Sequence, residues 1–294
     1  MFALEAGRRL TTLVSAWTAA KGRLRAAGVD SPTIDARLLL EAAASVSRVD
    51  IISDPHRLLD AEQIASLDAY LERRERREPI SHILGARGFW KIMLRVTPDV
   101  LTPRPDTETI LDAVLPLFAE DRRFTVLDLG VGSGAILLAI LAERPGATGL
   151  GIDISEDALA VARENAANLG LAGRTALLRG DWTAGLEAGS FDLVVANPPY
   201  VATGEIDRLD PEVRDHEPRL ALDGGVDGLH AYRTLTPEIL RVLRPGGTFA
   251  VEIGLGQRLA VETLFREAGA EALRTVPDLG GRERVVVGAT GPRA

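Results

Sequence analysis

The segment Asn197-Pro198-Pro199-Tyr200 follows the apolar run FDLVVA at 191–196, and its residue types suggest chemistry more directly than any other stretch of this 294-residue chain. Two prolines after a strand need mean no more than the end of that strand. That reading accounts for Pro198 and Pro199 but not for the Asn before them or the Tyr after them. A planar nitrogen, in an amide or a nucleobase amine, is a poor nucleophile because its lone pair is delocalised. To react, its two N–H groups must be held and its lone pair aimed at an electrophile. The Asn197 side-chain oxygen and the Pro198 carbonyl can each accept one such N–H. The prolines stiffen the loop that carries these acceptors, and Tyr200 can stack on the flat face of the held group. Catalysis of this kind rests on proximity and orientation and requires no histidine base. His56, His82, His216 and His230 have no ligand or triad spacing.

A second constellation lies upstream. VLDLGVGSG (126–134) joins a strand pattern to a helix pattern. Gly130, Gly132 and Gly134 permit a tight turn and close approach of a ligand to the helix N-terminus. By itself a glycine triplet is equally a plain strand-to-helix turn. Two acids extend it. Asp153 stands 23 residues after Gly130, at the end of the next strand in GIDIS, where a carboxylate can bind both hydroxyls of a ribose. Asp181 ends the following strand, in RGDW, placed to accept from an adenine amino group with Trp182 as an apolar wall. Either acid alone would read as a strand-end cap. On three successive strand ends, the set describes a nucleoside site. The Gly-x-Gly-x-Gly spacing does not favour the pyrophosphate of a nicotinamide cofactor, whereas a nucleoside without phosphates fits. A sulfonium cofactor would supply the strong electrophile that the Asn197 clamp serves.

Such groups have to be brought to one edge of a sheet. Helix patterns at 109–118, 133–144, 156–170, 231–243 and 257–269 alternate with short apolar strands at 125–131, 148–154, 175–181, 191–199 and 248–254. Alternation of this kind implies an α/β, doubly wound, mainly parallel sheet covered on both faces. Strands at 271–278 and 282–290, joined through Gly280-Gly281, suggest a C-terminal antiparallel hairpin. The front of the chain differs. Residues 10–28, 33–46 and 60–79 carry helical spacing, with Gly28 as a stop, Pro32 as a start and Pro79 as a stop. The charge run ERRERRE (72–78) reads as a solvated helix face with staggered opposite charges. Residues 87–105 alternate in polarity around a Thr97-Pro98-Asp99 turn and read as a β-hairpin leading into a proline-bounded link. The expected domains are therefore 1–85 (helical), 86–105 (hairpin linker) and 106–294 (α/β).

Composition sets limits on function. The chain has no cysteine, which excludes disulfides, thiolate catalysis and Cys-ligated metals, and no metal site is expected. The first ten residues lack the basic and apolar regions of a signal peptide. The longest apolar runs, AILLAILA (135–142) and FDLVVA (191–196), are far short of the ~20 residues that span a bilayer. A soluble, cytoplasmic protein is expected. The formal net charge of −8 argues against broad charge-driven docking on nucleic acid.

The chain resembles the release factor glutamine methyltransferases, the HemK-like family, over almost its whole length. The resemblance is carried by PISHILGARGFW (79–90), LTPRPDTE (101–108), VLDLGVGSGA (126–135), GIDIS (151–155), GDW (180–182) and NPPY (197–200). EPRLALDGGVDGLHAYR (217–233), VEIG (251–254) and DLGGRERVVVG (278–288) extend it. NPPY alone is shared with amino methyltransferases of other substrates; the front domain and the PRPDTE segment are more specific. The resemblance implies an S-adenosylmethionine-dependent methyltransferase that converts the glutamine of the Gly-Gly-Gln tripeptide in class-1 peptide chain release factors to N5-methylglutamine, leaving S-adenosylhomocysteine. It implies cofactor contacts from Asp128, Gly130, Val131, Gly132, Gly134, Asp153, Ile154, Asp181, Trp182 and Asn197. The glycines would face the methionine part, Asp153 the ribose, and Asp181 with Trp182 the adenine end. Asn197, Pro198, Pro199 and Tyr200 would hold the target amide, with Arg104 beside it. Residues 103–108 would close over the site, Arg104 and Glu108 having structural or substrate-positioning roles, and the front domain would grip the release factor. Val131 departs from the small polar residue, usually Thr, expected in this loop.

Two other readings remain open at this point. One is an enzyme methylating an exocyclic base amine, because base-flipping enzymes present that group to a similar clamp. The net charge of −8 and the lack of a basic target-recognition domain stand against it. The other is a non-catalytic cofactor-binding interaction module, against which the intact Asn197 and Tyr200 count. A monomer is expected, since both domains would have to embrace the substrate.

Overall fold

Polar residues just ahead of apolar periodic runs set where helices begin in the N-terminal region. Thr12, Ser47 and Asp60 each accept a hydrogen bond from the backbone N–H three residues on, and Ser15, Asp50 and Gln63 bond back, so three helices open on capping boxes. The computed structural model describes residues 11–291; the signal-peptide reading of the first ten falls outside them. The chain divides into two compact units, with the boundary between Gly85 and Ala86. The first holds α1 (Leu13–Ala26), α2 (Pro32–Ala44), α3 (Arg48–Ser53), α4 (Ala61–Glu75) and α5 (Ile80–Leu84). Their apolar faces close on Leu13, Leu24, Leu39, Leu40 and Leu71, each such burial stabilising by roughly 1.5–3 kcal/mol. The short α3 and α5 carry too few residues to show a helical period.

The charge run at 72–78 differs from its expected form. Arg74 is buried and its Nε donates to Asp35 Oδ2 on α2 at 2.8 Å. Glu75 pairs with Arg23 of α1, also at 2.8 Å. The run therefore ties three helices together instead of presenting a purely solvated face.

The second unit begins with a hairpin, β1 (Ala86–Phe89) against β2 (Ile92–Arg95). Its turn lies at Trp90-Lys91, not at Thr97-Pro98-Asp99. Trp90 takes φ +53° there, held by a backbone N–H bond to Glu108 Oε1 (2.8 Å) and an indole bond to Glu143 Oε1 (3.0 Å). Thr97 instead makes a separate turn after β2, accepting from Val100 N–H. Then come α6 (Glu108–Val114), β3 (Phe124–Leu129), α7 (Ala135–Glu143), β4 (Ala147–Asp153), α8 (Glu156–Asn168), β5 (Thr175–Arg179) and β6 (Phe191–Ala196). The chain ends with α9 (Pro211–Arg214), α10 (His230–Val242), β7 (Leu243–Glu252), α11 (Arg258–Glu267), β8 (Glu271–Pro277) and β9 (Glu283–Ala289).

The seven strands from β3 onward form one sheet in the order β5-β4-β3-β6-β7-β9-β8. The first five are parallel; β9 runs antiparallel between β7 and β8. The C-terminal hairpin is thus inserted into the sheet, because β9 pairs on both sides. Strand order reverses between β3 and β6, which makes their carboxyl ends the place where a crevice opens. Helix α7 is buried from Ala135 to Leu141, the all-round burial expected of an apolar helix inside a layered core. Among the described residues no helix is long and apolar enough to cross a membrane.

Candidate active site

The carboxyl end of β3 feeds the glycine loop into α7. Gly130, Gly132 and Gly134 all take positive φ, +74°, +52° and +85°, conformations that cost a residue with a Cβ about 1–2 kcal/mol. The loop is anchored to β4: the N–H groups of Gly130 and Val131 both donate to Ile152 O at 2.9 Å. The Gly132 N–H donates to Asp153 Oδ2 at 2.9 Å, while Asp153 Oδ1 accepts from Ser155 N–H at 3.0 Å. Asp153 thus joins the loop to the start of α8. The Val131 side chain is buried; a Cβ added at Gly151 would come within 2.7 Å of its Cγ2. The side chain at position 131 therefore packs toward Gly151 of β4.

A cavity of about 320 Å³ opens at this edge. Of the expected residues, Arg104, Gly130, Val131, Gly132, Asp153, Ile154, Asp181, Trp182, Asn197 and Pro199 line it. Asp128, Gly134, Pro198 and Tyr200 do not. Asp128 lies behind the loop, 1% exposed, with Oδ2 accepting from Leu137 N–H at 3.1 Å. Its Oδ1 has no partner and burial pushes its carboxyl up to about 7. Gly134 caps α7. Opposite the glycines, the strap 99–104 and the segment 218–221 form the other wall, clasped by Arg104 Nη2 on Glu217 Oε2 at 2.6 Å. Glu217 is buried, which raises its carboxyl, and Arg104 and Thr102 offset part of that.

The Asn197 loop leaves β6 beside this cavity. Asn197 Nδ2 donates to Thr107 Oγ1 at 3.2 Å, so the amide oxygen is the atom left to accept from a bound group. Tyr200 is half-buried, and its hydroxyl donates to Glu252 Oε1 at 3.3 Å. Glu252, at the end of β7, is 1% exposed. Burial pushes its carboxyl up to about 7, against the Thr107 hydroxyl, Arg284 and Tyr200, which favour the ionised form, while Asp106 opposes it. Its Oε2 completes no hydrogen bond of full geometry; the Thr107 hydroxyl is the neighbour that faces the carboxylate. Tyr232 of α10 donates to the Glu252 backbone carbonyl at 2.9 Å. Arg284 bridges Asp106 (3.0 Å) and Asp278 (3.4 Å).

Behind the loop, Gln257 Nε2 donates to the carbonyls of Tyr200 (3.0 Å) and Gly228 (3.2 Å), and its Oε1 accepts from Gly254 N–H (2.9 Å). Val201 bridges Asp223 as a short parallel pairing. Sequence reading did not single out Thr107, Glu217, Glu252 or Gln257. For Glu252 a signal existed: an acid closing a strand of otherwise apolar residues at the same sheet edge as Asn197. Thr107 lay unmarked inside the PRPDTE segment.

Two family models match the chain: one described as a PrmC N-terminal domain over residues 15–85, the other as a methyltransferase domain over 120–266. A methyltransferase from Pyrococcus furiosus, 18% identical, shares the fold with a TM-score of 0.52 over 75% of this chain and 98% of that one. A release factor glutamine methyltransferase of Caulobacter vibrioides is 68% identical over 96% of this chain and 97% of its own length. One from Rhodospirillum rubrum is 46% identical over 90% of this chain and 81% of its own length. Identity of that extent covers both the helical unit and the sheet that carries the glycine loop and the Asn197 segment, and the chain belongs to the release factor glutamine methyltransferase family.

Proposed function

We propose that this chain transfers the methyl group of S-adenosylmethionine to the side-chain amide nitrogen of the glutamine in the Gly-Gly-Gln motif of class-1 peptide chain release factors, releasing S-adenosylhomocysteine. The observation that carries the reading is the orientation of Asn197. With Nδ2 engaged by Thr107, the side chain offers an acceptor to an N–H beside a cavity whose wall holds the glycine loop and two acids. When bound, the cofactor supplies an electrophilic methyl carbon on a sulfonium. The residues present fit such a group: bare backbone at Gly130 and Gly132, the Asp153 carboxylate at the end of β4, and Asp181 with Trp182 after β5.

The chain's own part is binding and aiming. Asn197 Oδ1 and the Pro198 carbonyl hold the two amide N–H groups, Pro199 keeps them in place, and Tyr200 stacks on the amide plane. Arg104 and its strap screen the cavity from water through the Glu217 clasp. The helical unit, residues 1–85, grips the body of the release factor. The test is incubation with labelled S-adenosylmethionine and a purified release factor, beside a variant with the motif glutamine replaced by alanine, and duplex DNA. Label on the intact factor alone supports the reading. Label on the DNA or equally on the variant refutes it. Asn197→Ala should abolish transfer while S-adenosylhomocysteine still binds; equal loss of both would remove the clamp assignment.

A further inference from the structure

Asn197 can serve as an acceptor only if its amide is held the right way round, since a flip by half a turn would present an NH₂ to the NH₂ of the target. We propose that Thr107 and Glu252 are positioning residues that fix this polarity. The Thr107 hydroxyl faces the buried Glu252 carboxylate, whose Oε2 has no other partner; with its O–H turned toward that charge, the Thr107 oxygen accepts from Asn197 Nδ2. The inference rests on the reading of Asn197 as the amide clamp and adds the groups that set its direction.

The geometry is specific. Thr107 and Glu252 are 3% and 1% exposed, and Thr107 stands at the cavity wall. The Asn197–Thr107 bond is 3.2 Å and the Tyr200–Glu252 bond 3.3 Å. One carboxylate therefore bonds Tyr200 directly and bears on Asn197 through Thr107. A neutral Glu252 would reverse the chain. Its O–H would donate to Thr107, the Thr107 hydroxyl would turn to Asn197 Oδ1, and Nδ2 would face the target. Groups from every neighbouring element bear on this charge. Arg284 of β9 favours the ionised form and Asp106, ahead of α6, opposes it. Tyr200, after β6, bonds the carboxylate, and Tyr232 of α10 bonds the Glu252 backbone carbonyl. Burial places the Glu252 titration near 7, so the device would work within the ordinary range of assay pH.

The test uses the full chain with a release factor substrate and saturating S-adenosylmethionine. Thr107→Val keeps the side chain's shape but removes its acceptor, and should lower kcat about tenfold or more. Thr107→Ser restores the hydroxyl and should return kcat to within about threefold of wild type. In wild type kcat should rise with pH through about 7. Glu252→Gln cannot titrate and should lose that acid limb. Because Glu252 does not line the cavity, this variant should bind S-adenosylhomocysteine within about threefold of wild type. Wild-type kcat in Thr107→Val, equal loss in Ser and Val, or an acid limb persisting in Glu252→Gln would overturn the proposal. No transfer by wild type would instead remove the function proposed above, and this inference with it.

Discussion

Replacing Gly228 by alanine puts the geometry of the Asn197 loop to a quantitative test. Gly228 has φ +73°, and a Cβ there would lie 2.4 Å from the Tyr200 carbonyl oxygen and 2.6 Å from Gln257 Nε2. The Gln257 side chain can swing aside, although doing so breaks its bonds to Tyr200 O and Gly228 O. The Tyr200 carbonyl is backbone and has no such freedom, because Val201 next to it is bridged to Asp223. Moving from 2.4 Å to the 3.0 Å that real Cβ contacts respect requires a retreat of about 0.6 Å. A 1 Å misplacement of a reacting geometry costs on the order of 100-fold in rate, so kcat should fall by roughly 10- to 100-fold. Left-handed strain adds about 1–2 kcal/mol to the loss of stability. Neither Gly228 nor Tyr200 lines the cavity, so the S-adenosylhomocysteine dissociation constant, read by calorimetry, should stay within about threefold. Gly204→Ala is the control, since a Cβ there meets nothing within 4 Å. If Gly228→Ala turned over within twofold of wild type, the close wrapping of this loop would not govern catalysis and the reasoning would be wrong.

Three further outcomes follow from the same geometry. Val131→Thr exchanges a buried methyl packed toward Gly151 for a hydroxyl; it should cost about 1–3 kcal/mol in a denaturant titration, with cofactor affinity unchanged because the Val131 N–H still reaches Ile152 O. Arg174 donates to the carbonyls of Leu141, Ala147 and Arg144 at 2.7, 2.8 and 3.1 Å, and Arg174→Ala should destabilise by about 2–3 kcal/mol, visible as a lower melting midpoint. Asp128 has its carboxyl raised to about 7 by burial. The folded state therefore keeps a proton that the unfolded chain has shed above about pH 4, and this group's contribution to stability is lost as pH rises from about 4 to 7. Asp128→Asn should gain stability relative to wild type across that window and show a constant difference above it; melts at pH 5 and pH 8 showing the opposite trend would refute the assignment.

What the sequence made legible is what local pattern can carry. Apolar runs of five to seven residues ending in Gly130, Asp153, Asp181 and Asn197 marked strand ends, and the doubly wound topology follows once such strands alternate with helices. The groups that orient the site were hidden by distance along the chain. Thr107 meets Asn197 across 90 positions and Tyr200 meets Glu252 across 52, and no local spacing encodes either meeting. The same holds for Arg74, which looks like one more surface arginine in ERRERRE until Asp35, 39 residues earlier, is found beside it. The hairpin turn was misplaced for a different reason. Trp90-Lys91 has no turn-forming residue, and its positive φ is held by Glu108 and Glu143 from other elements, whereas Thr97-Pro98-Asp99 carries the usual turn chemistry and closes no hairpin.

The order of strands also explains why binding and aiming should separate experimentally. The glycine loop, Asp153 and Asp181 come from or directly after β3, β4 and β5, on one side of the strand-order reversal. Asn197 and Glu252 come from the ends of β6 and β7, and Arg284 from β9, on the other. Besides the direct pairing of β3 with β6, the strap at 99–104 and the Thr107 that follows it touch both halves, with Arg104 clasped to Glu217 and Thr107 bonded to Asn197. A change confined to Glu252 or Gly228 should therefore act on kcat alone, and one confined to Asp153 on cofactor affinity. Changes in the strap should move both, because the same backbone covers the cavity and holds the hydroxyl that orients Asn197. A strap variant that altered only one of the two would show that the halves are coupled elsewhere, and the sheet edge between Gly130 and Asn197 would be the place to look.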